Sequence, residues 1–387
     1  MKSFEKTMLK LNREKLDARW GKRLADIASQ FLLLANVKPK NLDAEKKDFL
    51  SGKIENPHFK YETDPKLKVY LKLIDVFLSD LKNEKNRIIK KLYADRLLEL
   101  KMQIELVQAI GINDEQVSKI SESLFGKPNT DDILKAQKIF KARKKIKSRN
   151  FDATTIKKVF EKALSHYHLR HWNVVIDQKF SLAITVSVIN EGQYSPRIII
   201  PYSHRVSKIR LQQLVAHEIE THVLRQQNGW NSNLSILSMP LGCKNFLTCE
   251  EGLAVLNGKC RFPKTGSEAL SILAFHLSKN LNFRETFEKL KSKGIKKDLA
   301  WRRTARIFRG ITDCQNTHNF RFWYDNIYWQ GLKKVTNNLH QHPQNFKNLY
   351  CGKTNLEDLD SILNLAENTK IKLLPENLEV EQLLSRI

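Results

Sequence analysis

Residues Leu214 to Gly229 read LVAHEIETHVLRQQNG, and this stretch decides the fold. It sets two imidazoles, His217 and His222, around the carboxylate of Glu218 inside a helical pattern. Two neutral ring nitrogens plus one carboxylate oxygen make a three-ligand zinc site with an open fourth position, which is the arrangement of catalytic rather than structural zinc. The Glu beside the first His is then placed to act as general base on a water. The bland alternative is a pair of satisfied histidines on a partly buried helix.

The spacing makes a structural demand. The common protease motif places its histidines four apart, on one helix face; here they are five apart, as HExxxH. At about 100° per residue, five steps turn the second ring by roughly 140° from the first. A regular α-helix therefore aims the rings apart. A π-bulge, which absorbs one extra residue in a turn, brings them back together. The zinc reading thus predicts a helix widened between His217 and His222.

The third ligand is sought downstream, in Thr248-Cys249-Glu250-Glu251-Gly252-Leu253-Ala254. We choose Glu251, because small residues after it let its helix pack closely on the first. Glu250 is a rival, but it points about 100° away on a helix and reads as a supporting or surface carboxylate. Glu220, inside the motif, is a second rival if the helix distorts differently.

Outward from this centre, the segment before the zinc helix changes period. WNVVID, LAITVSV and RIIIP, between residues 172 and 201, are rich in β-branched residues and separated by turn-forming stretches. They predict three antiparallel strands. The zinc helix is expected from Lys208 to Gln227, with Asn228-Gly229 as a left-handed cap. Residues 1–150 read as helices: Met8 to Ala35, Tyr70 to Leu81 and Ile88 to Ile110 carry apolar residues at helical spacing. Thr130 reads as an N-cap before Asp131 and Asp132. The expected fold class is α+β, zincin-like, mostly helical with a small antiparallel sheet before the zinc helix. It divides into an N-terminal helical region (1–150) and a zincin-like catalytic region (151–387), as two units or one continuous domain.

Other features are weaker. His166, His168 and His171 lie close together in SHYHLRHW, but no carboxylate or cysteine accompanies them, so the segment reads as a helix end leading into a strand. Five cysteines without a CxxC pair suggest free thiols in a reducing cytosol, and the start MKSFEKTMLKLNREK lacks a secretory pattern, so a cytoplasmic location is expected. No apolar run is long enough to span a bilayer. The formal net charge of +25 favours acidic partners, nucleic acid included, although the lysines are spread along the chain and no nucleic-acid motif appears. Lys141 to Asn150 is a basic run that reads as the wet end of a helix.

HEIETH, THVLRQQNG and EEGLA together resemble the microtubule-associated tyrosine carboxypeptidase family, whose bacterial relatives carry a QEGLA motif. Further segments are similar in the same order: Asn56-Pro57-His58-Phe59-Lys60-Tyr61, Arg306-Ile307-Phe308-Arg309-Gly310, Phe322 through Gly331, and Cys351-Gly352-Lys353. The resemblance implies His217, His222 and Glu251 as ligands of Zn2+ and Glu218 as acid/base. It also implies a metallopeptidase acting on a peptide or protein C-terminus, which in animal members is the terminal tyrosine of tubulin. Two positions depart from the pattern: Glu220 stands where the family has Gly, and Tyr324 where it has Lys. Resemblance and chemistry together nominate Tyr328 as a neutral donor to the oxyanion. A carboxypeptidase must also hold a terminal carboxylate, for which an arginine fork is suited; Arg225, Arg306 and Arg309 are the candidates, with Arg306 and Arg225 ranked first. A zinc endopeptidase or aminopeptidase on the same scaffold, or a basic nucleic-acid-associated protein with a vestigial metal site, are the competing expectations.

Overall fold

Helical periodicity in the first part of the chain becomes helices with one apolar face each. The helix Leu67–Leu81 buries Leu67, Tyr70, Ile74, Phe77 and Leu81, residues three and four apart. Arg87–Ala109 starts where the Asn86 side chain accepts from the backbone N–H groups of Ile88 and Ile89. The computed structural model of the chain describes residues 15–62, 64–142, 151–178, 183–190, 193–261, 266–365 and 371–377. Most of the basic run 141–150, and the first residues of the expected N-terminal helix, lie outside the described residues. What is described there is Ala18–Ala28, followed by the short helix Leu33–Asn36.

These N-terminal helices share their core with the rest of the chain. Leu24, Ile74 and Leu97 belong to one buried apolar cluster with Ile219, Leu253 and Phe283. Asp17, 1% exposed, accepts from the Tyr93 hydroxyl at 2.8 Å and from the backbone N–H groups of Ser235 at 2.7 Å and Ile236 at 3.1 Å. That carboxylate ties the first helix to the loop that follows the HExxxH segment.

Two small sheets precede that segment. β1 (Phe151–Asp152) pairs antiparallel with β5 (Arg205–Val206). β2 (Asn173–Asp177), β3 (Thr185–Asn190) and β4 (Gln193–Pro201) form a three-stranded sheet in the order β2-β4-β3. The all-antiparallel expectation is corrected here: β3 and β4 are antiparallel, but β2 runs parallel to β4. β4 is the longest of the three and buries Ile198 and Ile200 fully. It therefore takes the central position, and β3 becomes an edge strand lying beside the HExxxH segment.

Two local expectations are also corrected. Asn228-Gly229 does not stop the helix as a left-handed cap: the helix Leu224–Trp230 runs through both residues. Gly229 is required for a different reason, since a Cβ there would lie 1.9 Å from the Leu237 carbonyl oxygen. The helix Thr130–Ala142 is capped one residue earlier than expected, by Asn129, whose side chain accepts from the Asp132 N–H at 2.9 Å. No helix among the described residues is long and apolar enough to cross a membrane.

Candidate metal centre and active site

The HExxxH segment begins as an α-helix at Lys208–Leu214, with the Ser207 hydroxyl accepting from the Arg210 N–H at 3.3 Å. It widens into a π-helix over Val215–Val223 and returns to α over Leu224–Trp230. The five-residue spacing of the histidines falls inside the widened part, as the phase argument requires. Side chains tie down the carbonyls of this weaker ladder. The Thr221 hydroxyl donates to the Ala216 carbonyl at 2.8 Å, the Tyr350 hydroxyl to that of Glu220 at 2.8 Å, and the Lys353 ammonium to that of His222 at 3.2 Å.

With the helix widened, the two rings converge. Their centroids are 4.7 Å apart at an interplanar angle of 82°. Glu251 arrives from the helix Phe246–Arg261, and its Oε2 lies 3.2 Å from His217 Nε2 and 3.8 Å from His222 Nε2. Ligand atoms of the three residues all lie within 4.8 Å of one another. A tetrahedral zinc with bonds of about 2.0–2.1 Å separates its ligand atoms by about 3.3–3.4 Å. The donor set fits such an ion in kind and in spacing. The surroundings call for a cation as well: Glu251 Oε2 is buried without a hydrogen bond of good geometry. Burial alone lowers the pKa of His222, yet Glu250 and Glu251 outweigh it and raise that pKa, so the site draws positive charge to itself.

The rival ligands are placed elsewhere. Glu250 Oε1 lies 3.1 Å from His222 Nδ1, on the far side of the ring, and forms a very short ion pair with Lys353. Burial works to raise the Glu250 pKa, but the Lys353 ammonium and His222 overcome it and hold the carboxyl well below its ordinary value. Glu220 is fully buried and accepts from the Tyr167 hydroxyl at 2.8 Å. The departure from Gly at this position is thus absorbed by a phenol rather than left facing the metal donors.

Glu218 is 6% exposed, and burial raises its pKa despite the neighbouring imidazoles. Tyr328 is half-buried on the helix Asn326–Gln341; burial, then the nearby Glu251, push its phenol well above the ordinary value, so it stays protonated. Tyr328 reaches the site because two helices touch backbone to backbone. A Cβ on Gly252 would lie 2.1 Å from the Gly331 carbonyl carbon, and a Cβ on Gly331 would lie 2.0 Å from the Thr248 carbonyl oxygen. The helix Phe246–Arg261 packs on the HExxxH helix as expected, and Gly252 gives it a second, closer approach to Asn326–Gln341.

The candidate arginines differ in what they are bound to. Arg225 has no exposure; it donates to the carbonyls of Leu349 at 2.8 Å and Thr354 at 2.9 Å and so pins a distant loop to the HExxxH helix. Arg306 forks onto Asp325 through three hydrogen bonds of 2.5–2.9 Å. Arg309 is half-buried near Tyr324 and Tyr328, and burial with the charge of Arg306 lowers its pKa to about 10. Among the described residues, its side chain makes no hydrogen bond or ion pair. Tyr324, where the family has Lys, is 4% exposed and stacks on Phe322 at 6.0 Å.

Residues that the sequence did not single out complete the site. Lys353 was visible only as part of a Gly-Lys pair. Arg210 sits seven residues before His217, two turns along one helix face, and its charge bears on Glu218 and Tyr328. The three histidines at 166–171 do not assemble: His166 Nε2 meets Glu376 at 2.7 Å and His171 Nε2 meets Gln227 at 3.0 Å. No disulfide forms among the five cysteines.

Two imidazoles, an orphaned carboxylate oxygen, a buried Glu of raised pKa and a protonated phenol are together the equipment of a hydrolase. No protein of curated function matches the chain in sequence. The sequence profile of the microtubule-associated tyrosine carboxypeptidase family, however, matches residues 47–376, most of the chain. The chain belongs to that family, which places it among the peptidases.

Proposed function

We propose that this chain is a zinc-dependent carboxypeptidase that removes a C-terminal residue from a peptide or protein, with His217, His222 and Glu251 holding the ion. The observation that carries this reading is the convergence of those three donors beside Glu218, with Glu251 Oε2 buried and unsatisfied. Zinc, when bound there, would polarise the scissile carbonyl and acidify a water. The chain's own groups do the rest. Glu218, its pKa raised by burial, takes the proton from the attacking water and returns it to the leaving amine. Tyr328 stays protonated and donates a hydrogen bond to the developing oxyanion. Of the arginines, Arg309 is the best placed to receive a terminal carboxylate, with Arg210, whose charge bears on Glu218 and Tyr328, as the second positive group. Arg225 and Arg306 are spent on backbone carbonyls and on Asp325, and so shape the site rather than receive substrate. β3, an edge strand of its sheet among the described residues, lies beside the π-helix, where an extended peptide would add by main-chain hydrogen bonds. The family's name makes a C-terminal tyrosine the first residue to test.

The test is metal analysis of the purified protein combined with C-terminal profiling of a peptide library, comparing wild type with Glu218→Gln. We expect one equivalent of zinc in both proteins and single-residue release from free C-termini by the wild type alone. Internal or N-terminal cleavage would replace the carboxypeptidase by an endopeptidase or aminopeptidase. Turnover by zinc-loaded Glu218→Gln within about tenfold of the wild type would contradict the role of Glu218.

A further inference from the structure

We propose that Lys353 is a positioning residue for the metal site: acting through Glu250, it fixes the orientation of the His222 ring and thereby the affinity for the ion. This rests on the zinc reading above.

Lys353 is 1% exposed and Glu250 2% exposed. A buried ammonium on a loop some 130 positions away in sequence from the zinc helix is an unusual thing to keep, because removing both charges from water is costly. Its contacts show what it is attached to. The ammonium pairs with Glu250 Oε1 and donates to the His222 carbonyl at 3.2 Å. The same Glu250 oxygen lies 3.1 Å from His222 Nδ1. One carboxylate oxygen therefore bridges the ammonium and the ring. A ring that donates from Nδ1 to a carboxylate keeps its lone pair on Nε2, and Nε2 is the atom that faces Glu251. Carboxylates behind a ligating histidine orient the ring and raise its basicity. Here the carboxylate is itself oriented, by Lys353.

The loop is built to deliver that ammonium. Gly352 has φ +148°, and a Cβ on it would lie 2.4 Å from the Leu237 carbonyl oxygen. Lys353 N–H donates to the same carbonyl at 2.7 Å, and Cys243 N–H donates to the Lys353 carbonyl at 2.9 Å. Arg225, one turn past His222, grips the carbonyls on both sides of the pair, at Leu349 and Thr354. The zinc helix thus holds the loop, and the loop's lysine in turn holds the zinc ligand.

A merely structural ion pair would affect melting and leave metal affinity alone, so the two are measured separately. Zinc affinity is read by competition with a chromophoric chelator on the full chain, and melting on the zinc-free chain. Lys353→Met is expected to weaken zinc binding about 10–100-fold, and Lys353→Arg to recover most of it. Should Lys353→Met not fold, the double variant Glu250→Leu/Lys353→Met replaces the pair by apolar groups, a change that buried pairs often tolerate. It is expected to melt near the wild type and still to lose affinity about 10–100-fold. A folded Lys353→Met, or a folded double variant, that binds zinc as the wild type does overturns the proposal. A wild type that binds no zinc overturns the carboxypeptidase reading and this inference together, which tells the two failures apart.

Discussion

Three carboxylates crowd the site, and their surroundings give each a different chemistry. Among the described residues no lysine or arginine pairs with Glu218, and burial raises its pKa, which suits a group that must accept and release a proton. Glu250 faces Lys353 and stays ionised. Glu251 has neither a lysine nor a hydrogen bond at Oε2, so it is the one left for a metal. Removing the proton acceptor at Glu218 should therefore cost rate without costing metal: we expect Glu218→Gln to lose about 10²–10⁴-fold in kcat, read by release of the terminal residue. Arg309 is a residue of a different kind. A charge-assisted hydrogen bond contributes about 1.5–3 kcal/mol, so Arg309→Ala should lower kcat/KM by about 10–100-fold on peptides with a free C-terminus. Amidated peptides should be turned over poorly and about equally by both proteins. An equal loss on both substrates would show that Arg309 does not read the carboxylate. Helix phase alone separates the directions of Glu250 and Glu251, because both residues belong to one helix. The surroundings of Arg225 could not be read in the same way: its partners, Leu349 and Thr354, lie more than 120 positions away, and nothing local announces them.

At the level of elements, the site depends on one widened helix and one close helix crossing. The widening was legible in the sequence because counting residues between the histidines fixes a phase, and only an extra residue in the turn restores it. What secures the widened turn was not legible, since Tyr350 and Lys353 come from a loop far along the chain. Strand positions could be read from β-branched runs, but pairing could not: nothing in WNVVID says that it will lie parallel to RIIIP, on the far side of β4 from β3. The helix crossing yields a sharp prediction. Gly252 and Gly331 let Phe246–Arg261 and Asn326–Gln341 meet with no side chain between them, and the crossing carries Glu251 and Tyr328 toward each other. Gly252→Ala places a methyl 2.1 Å from the Gly331 backbone, which a flexible side chain cannot relieve. We expect a loss of about 1–3 kcal/mol or more from overpacking, and weaker zinc binding because Glu251 is the adjacent residue. Gly258→Ala, in the same helix, is the control. A Cβ there meets only the Gln213 side chain, at 3.8 Å, and both melting and zinc affinity should stay near wild type. Equal behaviour of the two variants would mean that the crossing does not hold the ligand in place.

Across the whole molecule, distant segments converge on the HExxxH helix and on the loop that follows it. The first helix reaches it through Asp17 and the 235–236 backbone, and the loop 349–354 through Arg225. The third segment is Ile371 to Asn377, laid across the helix end at Asn228. The Asn228 side chain, 2% exposed, donates to the Leu373 carbonyl at 2.7 Å and accepts from the N–H groups of Leu373 at 3.1 Å and Lys372 at 3.3 Å. A few residues on, Glu376 N–H donates to the Tyr167 hydroxyl at 2.8 Å, and that hydroxyl donates to Glu220 inside the π-helix. The segment thus connects at one end to the helix's last turn and at the other, through a single phenol, to the turn between the two histidines. Asn228 was read from the sequence as part of a helix stop; its amide is used instead to hold this segment, a contact that no local pattern encodes. Asn228→Ala removes both halves of that grip, and each hydrogen bond lost in this half-buried place contributes about 0.5–1.5 kcal/mol. The expected result is a melting temperature lower by a few degrees, with new protease cleavage within residues 371–377. If the variant instead melts and resists protease as the wild type does, the segment is passive packing and its link to Glu220 carries no stability.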